Sequence, residues 1–160
     1  MKAANNIAIF ADVQNIYYTT RQVFGRQFNY RKLWEHISER GHIDLALAYA
    51  IHRGDEKQLN FQNALRHIGF EVKLKPYIQR ADGSSKGDWD VGITLDIIDA
   101  AKTADTIVLL SGDGDFDRVI EKIKIDFALR AEVYGVPELT AKSLIDAATT
   151  FYPIDATLLL

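Results

Sequence analysis

Short runs of apolar residues recur along the chain and alternate with stretches in which apolar residues lie three or four positions apart. A continuous run of Val, Leu, Ile and Ala is typical of a buried strand in a parallel sheet. One run instead alternates apolar residues with lysines, which predicts an edge strand with a single buried face. The predicted strands are residues 7–11, 43–51, 70–75, 106–111 and 130–135, and the alternating run is 70–75.

The intervening segments have the apolar spacing of helices. We predict helices over residues 30–40, 56–68, 88–102, 116–127 and 138–148. The third of these has more apolar residues than one buried stripe requires, which predicts a heavily buried helix. At Asp12 we expect a polar and aromatic loop to begin, with Tyr17 and Tyr18 in it. We expect residues 151–155 to be extended along an edge of the sheet.

This alternation predicts an α/β fold of three layers, with helices on both faces of a mainly parallel, five-stranded sheet. The strand order 3-2-1-4-5 would place the first strand beside the fourth, where the order reverses. Asp12 follows the first strand and Asp113 follows the fourth, so we expect both acids at the same edge of the sheet. A length of 160 residues suits a single domain, 1–160.

Composition narrows the class of protein. The chain has no cysteine, which excludes disulfides, thiolate metal sites and cysteine nucleophiles and fits a reducing compartment. The N-terminal residues lack the apolar core of a signal peptide, and no apolar run approaches the roughly 20 residues of a membrane span. We therefore expect a cytoplasmic protein with no membrane partner.

Charge is distributed unevenly along the chain, although the formal net charge is only −3. Residues 52–86 contain seven Lys and Arg against four Asp and Glu, whereas residues 87–126 contain four against ten. A basic region beside an acidic one suits a polyanion platform next to a metal site. Solvated helix faces explain the same charges equally well.

The stretch 107–117 combines a buried strand with an acidic loop. After Ser111 and Gly112 it presents Asp113, Asp115 and Asp117 within five residues. Clustered carboxylates repel one another, and a hard divalent cation is their natural counter-charge. A strand-to-helix loop with an Asp N-cap explains one or two of these acids but not three. Asp117, beside Arg118, is expected only to support the start of the helix.

A further acidic segment, 86–91, opens the helix that leads into the strand 106–111. Asp88 is the better candidate for its N-cap, and Asp90 the better candidate ligand. We then expect four acids to converge as metal ligands and catalytic residues: Asp12, Asp90, Asp113 and Asp115. All-oxygen sites of this kind suit Mg²⁺ or Mn²⁺, which stabilise in-line displacement at phosphorus.

Other residues are candidates for supporting roles. Asp96 is either a buried partner in the site or part of the helix surface. Asn15 is placed to bind a ligand carboxylate or a phosphate, and Lys86 to reach a phosphate as a point charge. Both are equally well explained as bystanders. We expect the histidines to be structural or exposed and remote from the acids; they are His36, His42, His52 and His67.

The residues present argue against two familiar site types. The segment 111–115, Ser-Gly-Asp-Gly-Asp, lacks the third glycine of a dinucleotide fingerprint and has acids where a phosphate needs bare amides. A phosphatase of the haloacid dehalogenase type needs Asp-x-Asp after its first strand, whereas Gln14 stands at the second position after Asp12.

Three motifs in this order resemble the NYN domain family, above all its LabA-like bacterial branch. They are Asp12-x-x-Asn15, the segment 86–96 (Lys-Gly-Asp-Trp-Asp-Val-x-x-x-x-Asp), and 111–116 (Ser-Gly-Asp-Gly-Asp-Phe). The resemblance covers about residues 5–150. It implies a PIN-like nuclease fold and cleavage of RNA with a divalent metal.

The resemblance also assigns roles to residues. It implies Asp12, Asp90, Asp113 and Asp115 as metal-binding acids, with Asn15, Ser111 and Asp96 in support; we count Asn15, Ser111 and Lys86 as contacts to substrate. The family pattern has one residue between the glycine and the helix acid. Here two residues precede Asp90, so Asp88 is the alternative ligand, and Val91 favours Asp90 because it follows the acid as in the motif.

Two functions remain as hypotheses. The first is a metal-dependent endoribonuclease that binds the RNA backbone along residues 52–86. The second is a non-catalytic regulator that retains the metal site and binds RNA or a protein. A protein partner that selects the RNA target, and a homodimer through the apolar end 158–160, are further expectations.

Overall fold

The computed structural model describes residues 5–52, 54–76, 78–79, 85–86 and 89–160. Within these ranges the main sheet has six strands: β1 (Asn6–Asp12), β2 (His42–His52), β3 (Glu71–Pro76), β6 (Thr106–Leu110), β7 (Arg130–Gly135) and β8 (Thr150–Pro153). Their order in the sheet is β3-β2-β1-β6-β7-β8, and all are paired in parallel. The short strands β4 (Ile78–Gln79) and β5 (Ser85–Lys86) form a separate antiparallel pair.

Helices cover both faces of this sheet. One layer contains α1 (Val13–Phe24), α2 (Tyr30–Ser38) and α3 (Glu56–Ile68), and the other contains α4 (Asp90–Ala100), α5 (Asp117–Asp126) and α6 (Lys142–Ala147). Each layer buries an apolar cluster against one side of the central strands, because successive side chains of a strand point to opposite faces. Ile7 and Ile9 of β1 contribute to the first cluster, and Ala8 and Phe10 to the second.

The position of β1 beside β6 is what builds the site. Ala11 is the register partner of Leu110, so the two strands end together. The strand order reverses at this pair, because the chain moves outward from β1 to β2 and β3 and then crosses to β6. Ligands of open α/β sheets bind at such a reversal, outside the carboxyl ends of the strands.

The predicted α/β architecture and the order of its five strands are confirmed, with β8 as an additional strand. The end of the chain does lie at an edge of the sheet, as expected, and it pairs with β7 there. Leu158 and Leu159 pack in the first apolar cluster, so that Leu160 is the exposed residue of the apolar end.

Three local predictions were wrong. The segment after Asp12 is helix α1 rather than a loop, because Asp12 caps it and Ile16 packs in the core. Helix α4 is not buried all round: Val91 and Leu95 are 73% and 62% exposed. The helix predicted over 138–148 divides into a 3-10 turn, Pro137–Leu139, and the shorter α6.

Among the described residues, no helix has both the length and the apolar character that a membrane crossing would require.

Candidate metal centre

The buried hydroxyl of Ser111 joins the ends of β1 and β6. Asp12 is the last residue of β1, and Ser111 directly follows β6. Ser111 Oγ donates to Asp12 Oδ2 at 3.1 Å and accepts from the Asp113 amide, also at 3.1 Å. Both side chains are buried. One hydroxyl therefore connects the acid of the first strand to the acidic loop that follows the fourth predicted strand.

Helix α1 is attached to the same loop through its first turn. Asp12 caps the helix by accepting from the Asn15 amide at 3.4 Å. Asn15 Oδ1 in turn accepts from the Gly112 amide at 2.9 Å. Asp12 and Asn15, separated by two residues, thus bind the loop from one helical turn.

The acidic loop is folded by its own hydrogen bonds and by close packing. Asp113 caps the 3-10 turn Gly114–Phe116 and accepts from the Asp115 amide at 2.9 Å. A Cβ atom at Gly112 would lie 2.7 Å from the Leu139 carbonyl oxygen, and one at Gly114 would lie 2.8 Å from Ala141 Cβ. The two glycines therefore let the loop approach the segment before α6.

Among the described residues, a group of three carboxylates could hold a metal ion. One oxygen each of Asp90, Asp113 and Asp115 lies within 4.8 Å of the others. Asp90 and Asp113 are half-buried and Asp115 is exposed, so the group opens to solvent on one side. Mg²⁺ and Mn²⁺ prefer oxygen ligands, and oxygens on opposite sides of such an ion are about 4 Å apart. The donor set and its spacing fit a hard divalent cation.

Asp12 and Asp117 are outside this group of three. Asp12 is hydrogen-bonded to Ser111 and to the Asn15 amide. Asp117 is the first residue of α5 and is half-buried.

Asp96 connects α4 to the sheet. It accepts from the Tyr49 hydroxyl at 2.7 Å and from Lys73 Nζ at 2.8 Å, which ties the helix to β2 and β3. Burial, and then the hydrogen bond to Asp96, raise the pKa of Tyr49 far above its usual value. Asp96 is half-buried, and it is neither in the carboxylate group nor a freely solvated surface acid.

Two residues that the sequence suggests for the site are not fully described by the structure. Asp88 lies outside the described residues, and so does the side chain of Lys86, whose backbone is part of β5. Asp90 is the candidate of this segment that the structure brings to Asp113 and Asp115.

Trp89 is a residue whose role the sequence pattern did not indicate. Its Nε1 donates to the Ala50 carbonyl at 2.9 Å, and Lys75 Nζ lies 4.8 Å from the centroid of its ring. The ring also packs against Tyr49 and occupies the space that Gly92 leaves open. Trp89 therefore sets the position at which α4, and with it Asp90, begins. The sequence feature that could have indicated this role is the position of the tryptophan between two acids, Asp88 and Asp90.

The histidines, all in the described ranges, are exposed, as predicted. His36 Nδ1 shares a hydrogen bond of 2.6 Å with the Tyr134 hydroxyl.

Comparison with known proteins places this chain among relatives over nearly its whole length. The profile of the NYN domain matches residues 6–155. Low amplitude and bright protein LabA from Synechococcus elongatus is 31% identical over 128 residues, which cover 75% of this chain and 68% of LabA. Among solved structures, a protein of unknown function from Vibrio parahaemolyticus, VPA0982, is 49% identical and superimposes with a TM-score of 0.95 over 100% of both chains.

Proposed function

Because the chain belongs to the NYN domain family, in its LabA-like branch, we propose that it is a divalent-metal-dependent ribonuclease. The NYN domain is a PIN-like nuclease family. The observation that carries the proposal is the convergence of Asp90, Asp113 and Asp115, from two separate segments, at the reversal point of a parallel sheet.

In this proposal Asp90, Asp113 and Asp115 hold Mg²⁺ or Mn²⁺, and Asp12 belongs to the same centre. The ion would supply Lewis-acid activation of a phosphodiester and of the attacking water. Ser111 is assigned the task of orienting the acids, because its hydroxyl contacts both Asp12 and the Asp113 amide. Asn15 fixes the loop at Gly112, so its effect on substrate is through the loop position.

RNA is the proposed substrate, and residues 52–86 supply the cations of its binding surface. Of these, Lys73 and Lys75 lie on β3, beside the helix that begins with Asp90. Lys75 lies over the ring of Trp89, the residue before Asp90, which supports a cation beside the proposed centre, whereas Lys73 is paired with Asp96. Lys86 remains a candidate contact to phosphate. A protein partner that selects the RNA target is compatible with this surface.

The test uses labelled RNA with Mn²⁺, Mg²⁺ or a chelator. We expect cleavage that requires metal and that falls by more than about 100-fold in Asp113→Asn, which keeps the shape of the side chain and removes its charge. Asp126→Asn is the matched control, because Asp126 is an exposed acid paired with Lys122 at the far end of α5. Equal activity in wild type and Asp113→Asn would contradict the proposal.

The second candidate is a regulator that binds RNA without cleaving it. A regulator that binds a protein instead is the form that the net charge of −3 favours, because nucleic-acid binders commonly carry a larger basic surface. The same experiment separates the two: metal-dependent RNA binding by wild type without any product would select the regulator.

A further inference from the structure

An exposed aromatic pair lies on α1, the helix that begins at the acidic centre. Tyr17 and Tyr18 are 44% and 52% exposed, and their rings meet edge to face with centroids 5.5 Å apart. The Arg21 guanidinium lies 5.6 Å from the centroid of the Tyr17 ring and donates to the Tyr17 hydroxyl. Two rings and one cation thus form a compact surface, the Tyr17–Tyr18 platform.

Core packing does not account for this pair. The buried face of α1 consists of Val13, Ile16, Thr19 and Thr20. Tyr18 lies on the opposite side of the helix, where a short polar side chain would serve folding equally well. Tyr17 lies at the edge of the buried face, four residues after Val13, and is still 44% exposed. Two large rings exposed side by side are therefore better explained by a ligand than by stability.

The platform has a fixed position relative to the acids. Asn15, one turn before Tyr18, is hydrogen-bonded to the Gly112 amide of the acidic loop. Residues three apart on a helix are neighbours on its surface, so Tyr18 continues the flank of α1 that faces this loop. A strand that reaches Asp113 along that flank would meet the Tyr18 ring, and the Tyr17 ring lies edge to face with it on the side away from Asn15.

The negative charge of the acidic centre explains why an aromatic surface beside it would help to bind RNA. Asp90, Asp113 and Asp115 carry one negative charge more than a bound divalent ion neutralises, so the centre still repels phosphates at the place where a phosphodiester must enter. Stacking of bases on aromatic rings is insensitive to this repulsion and tolerates any base, and Arg21 adds a positive charge beside the rings.

We propose that the Tyr17–Tyr18 platform, with Arg21, stacks unpaired bases of single-stranded RNA next to the acidic centre. This inference rests on the proposed function, since it assigns the substrate of the same site. Bases within a duplex already stack on one another and cannot present a face to these rings, so the platform favours single strands over duplexes.

Binding is measured by fluorescence anisotropy in the full chain with Asp113→Asn, which removes cleavage, in Mg²⁺. The probes are a labelled 12-nucleotide single strand of mixed sequence and the same sequence as a blunt duplex. We expect Tyr17→Ala and Tyr18→Ala each to weaken single-strand binding by about 10-fold, with duplex binding unchanged within about twofold.

Two controls isolate the ring. Tyr18→Phe keeps the aromatic face and should bind within about twofold of the parent. Ile125→Ala removes a 79% exposed apolar side chain from the far end of α5, outside residues 52–86, and should have no effect on either probe. Thermal unfolding of each variant shows whether α1 remains folded.

The results separate this inference from the nuclease proposal. The platform proposal is overturned if the tyrosine variants bind the single strand as tightly as the parent, or if they weaken the binding of both probes equally. It is also overturned if the parent does not bind the single strand. If wild type cleaves RNA while these variants bind normally, only the platform is wrong. If single-strand binding depends on the rings but wild type cleaves nothing, the platform stands and the nuclease proposal is wrong.

Discussion

At the scale of single residues, Ser111 makes the contacts on which the centre most depends. It is fully buried, and its hydroxyl donates to Asp12 while accepting from the Asp113 amide. The hydroxyl lies between the ends of two central strands, and its bond to Asp12 is buried. A buried polar group that loses its partner costs the full free energy of its desolvation.

We therefore expect Ser111→Ala to lower the free energy of unfolding by about 1–3 kcal/mol and to reduce cleavage, because the Asp113 amide and Asp12 both lose a partner. Urea denaturation and the RNA assay measure the two effects. Ser38→Ala is the matched control: Ser38 also bonds a neighbour, the Glu35 carbonyl, but is exposed, and should change stability by less than about 0.5 kcal/mol. Equal stability of wild type and Ser111→Ala would argue against this role.

At the scale of elements, helix α4 contributes Asp90 to the carboxylate group, so its position on the sheet must be fixed. Ile93 and Ile97 bury its inner side, while Asp96 fastens it to β2 through Tyr49 and to β3 through Lys73. Trp89 fixes the first turn through its bond to Ala50. Asp96 is thus a positioning residue two turns from the carboxylate that it helps to place.

A double-mutant cycle tests this connection. Asp96→Ala and Tyr49→Phe each remove the bond between the helix and β2, so their effects on the free energy of unfolding should be non-additive by about 0.5–3 kcal/mol. The exposed Asp99 of the same helix, which pairs with Lys102 of the same segment at 3.3 Å, provides the comparison. Asp99→Ala combined with Tyr49→Phe should be additive, and additivity in the Asp96 cycle as well would refute the link.

At the scale of the whole molecule, buried phenols occur in both layers of the core. Tyr30 and Tyr134 belong to the cluster under α1–α3, and Tyr49 belongs to the cluster under α4–α6. Burial raises the pKa of each, to about 12 for Tyr134 and further for the other two, where Asp12 and Asp96 add to the effect. The folded chain thus keeps these phenols protonated at a pH at which the unfolded chain has lost the protons.

The sign of this linkage predicts alkaline destabilisation. A tyrosine of the unfolded chain titrates near 10, so the stabilisation is fully present below pH 10 and is lost as the pH rises toward the folded pKa values. Between pH 10 and 12 we expect the free energy of unfolding to fall by about 1.4 kcal/mol per pH unit for each such phenol. Urea denaturation at several pH values gives the slope, which Tyr134→Phe should reduce. Stability that stays constant up to pH 11 would rule this out.

The sequence by itself was sufficient for the α/β class, the order of the five main strands and the meeting of Asp12 with the loop at Asp113. The reason is that these features depend on local signals. Apolar runs identify buried strands, and the alternation of strands and helices restricts their order. The acids at strand ends then necessarily lie at one edge of the sheet.

Only the tertiary structure decided the features that depend on contacts between distant segments. β8 exists because β7 offers it a paired edge, and its four residues, Thr150–Pro153, have too little periodicity to indicate a strand. The need for Gly112 and Gly114 comes from the segment before α6, far along the chain. Asp96 could not be assigned before Tyr49 and Lys73 were brought to it. Apolar patterning is local information, whereas a side chain's partner is set by the packing of the whole fold.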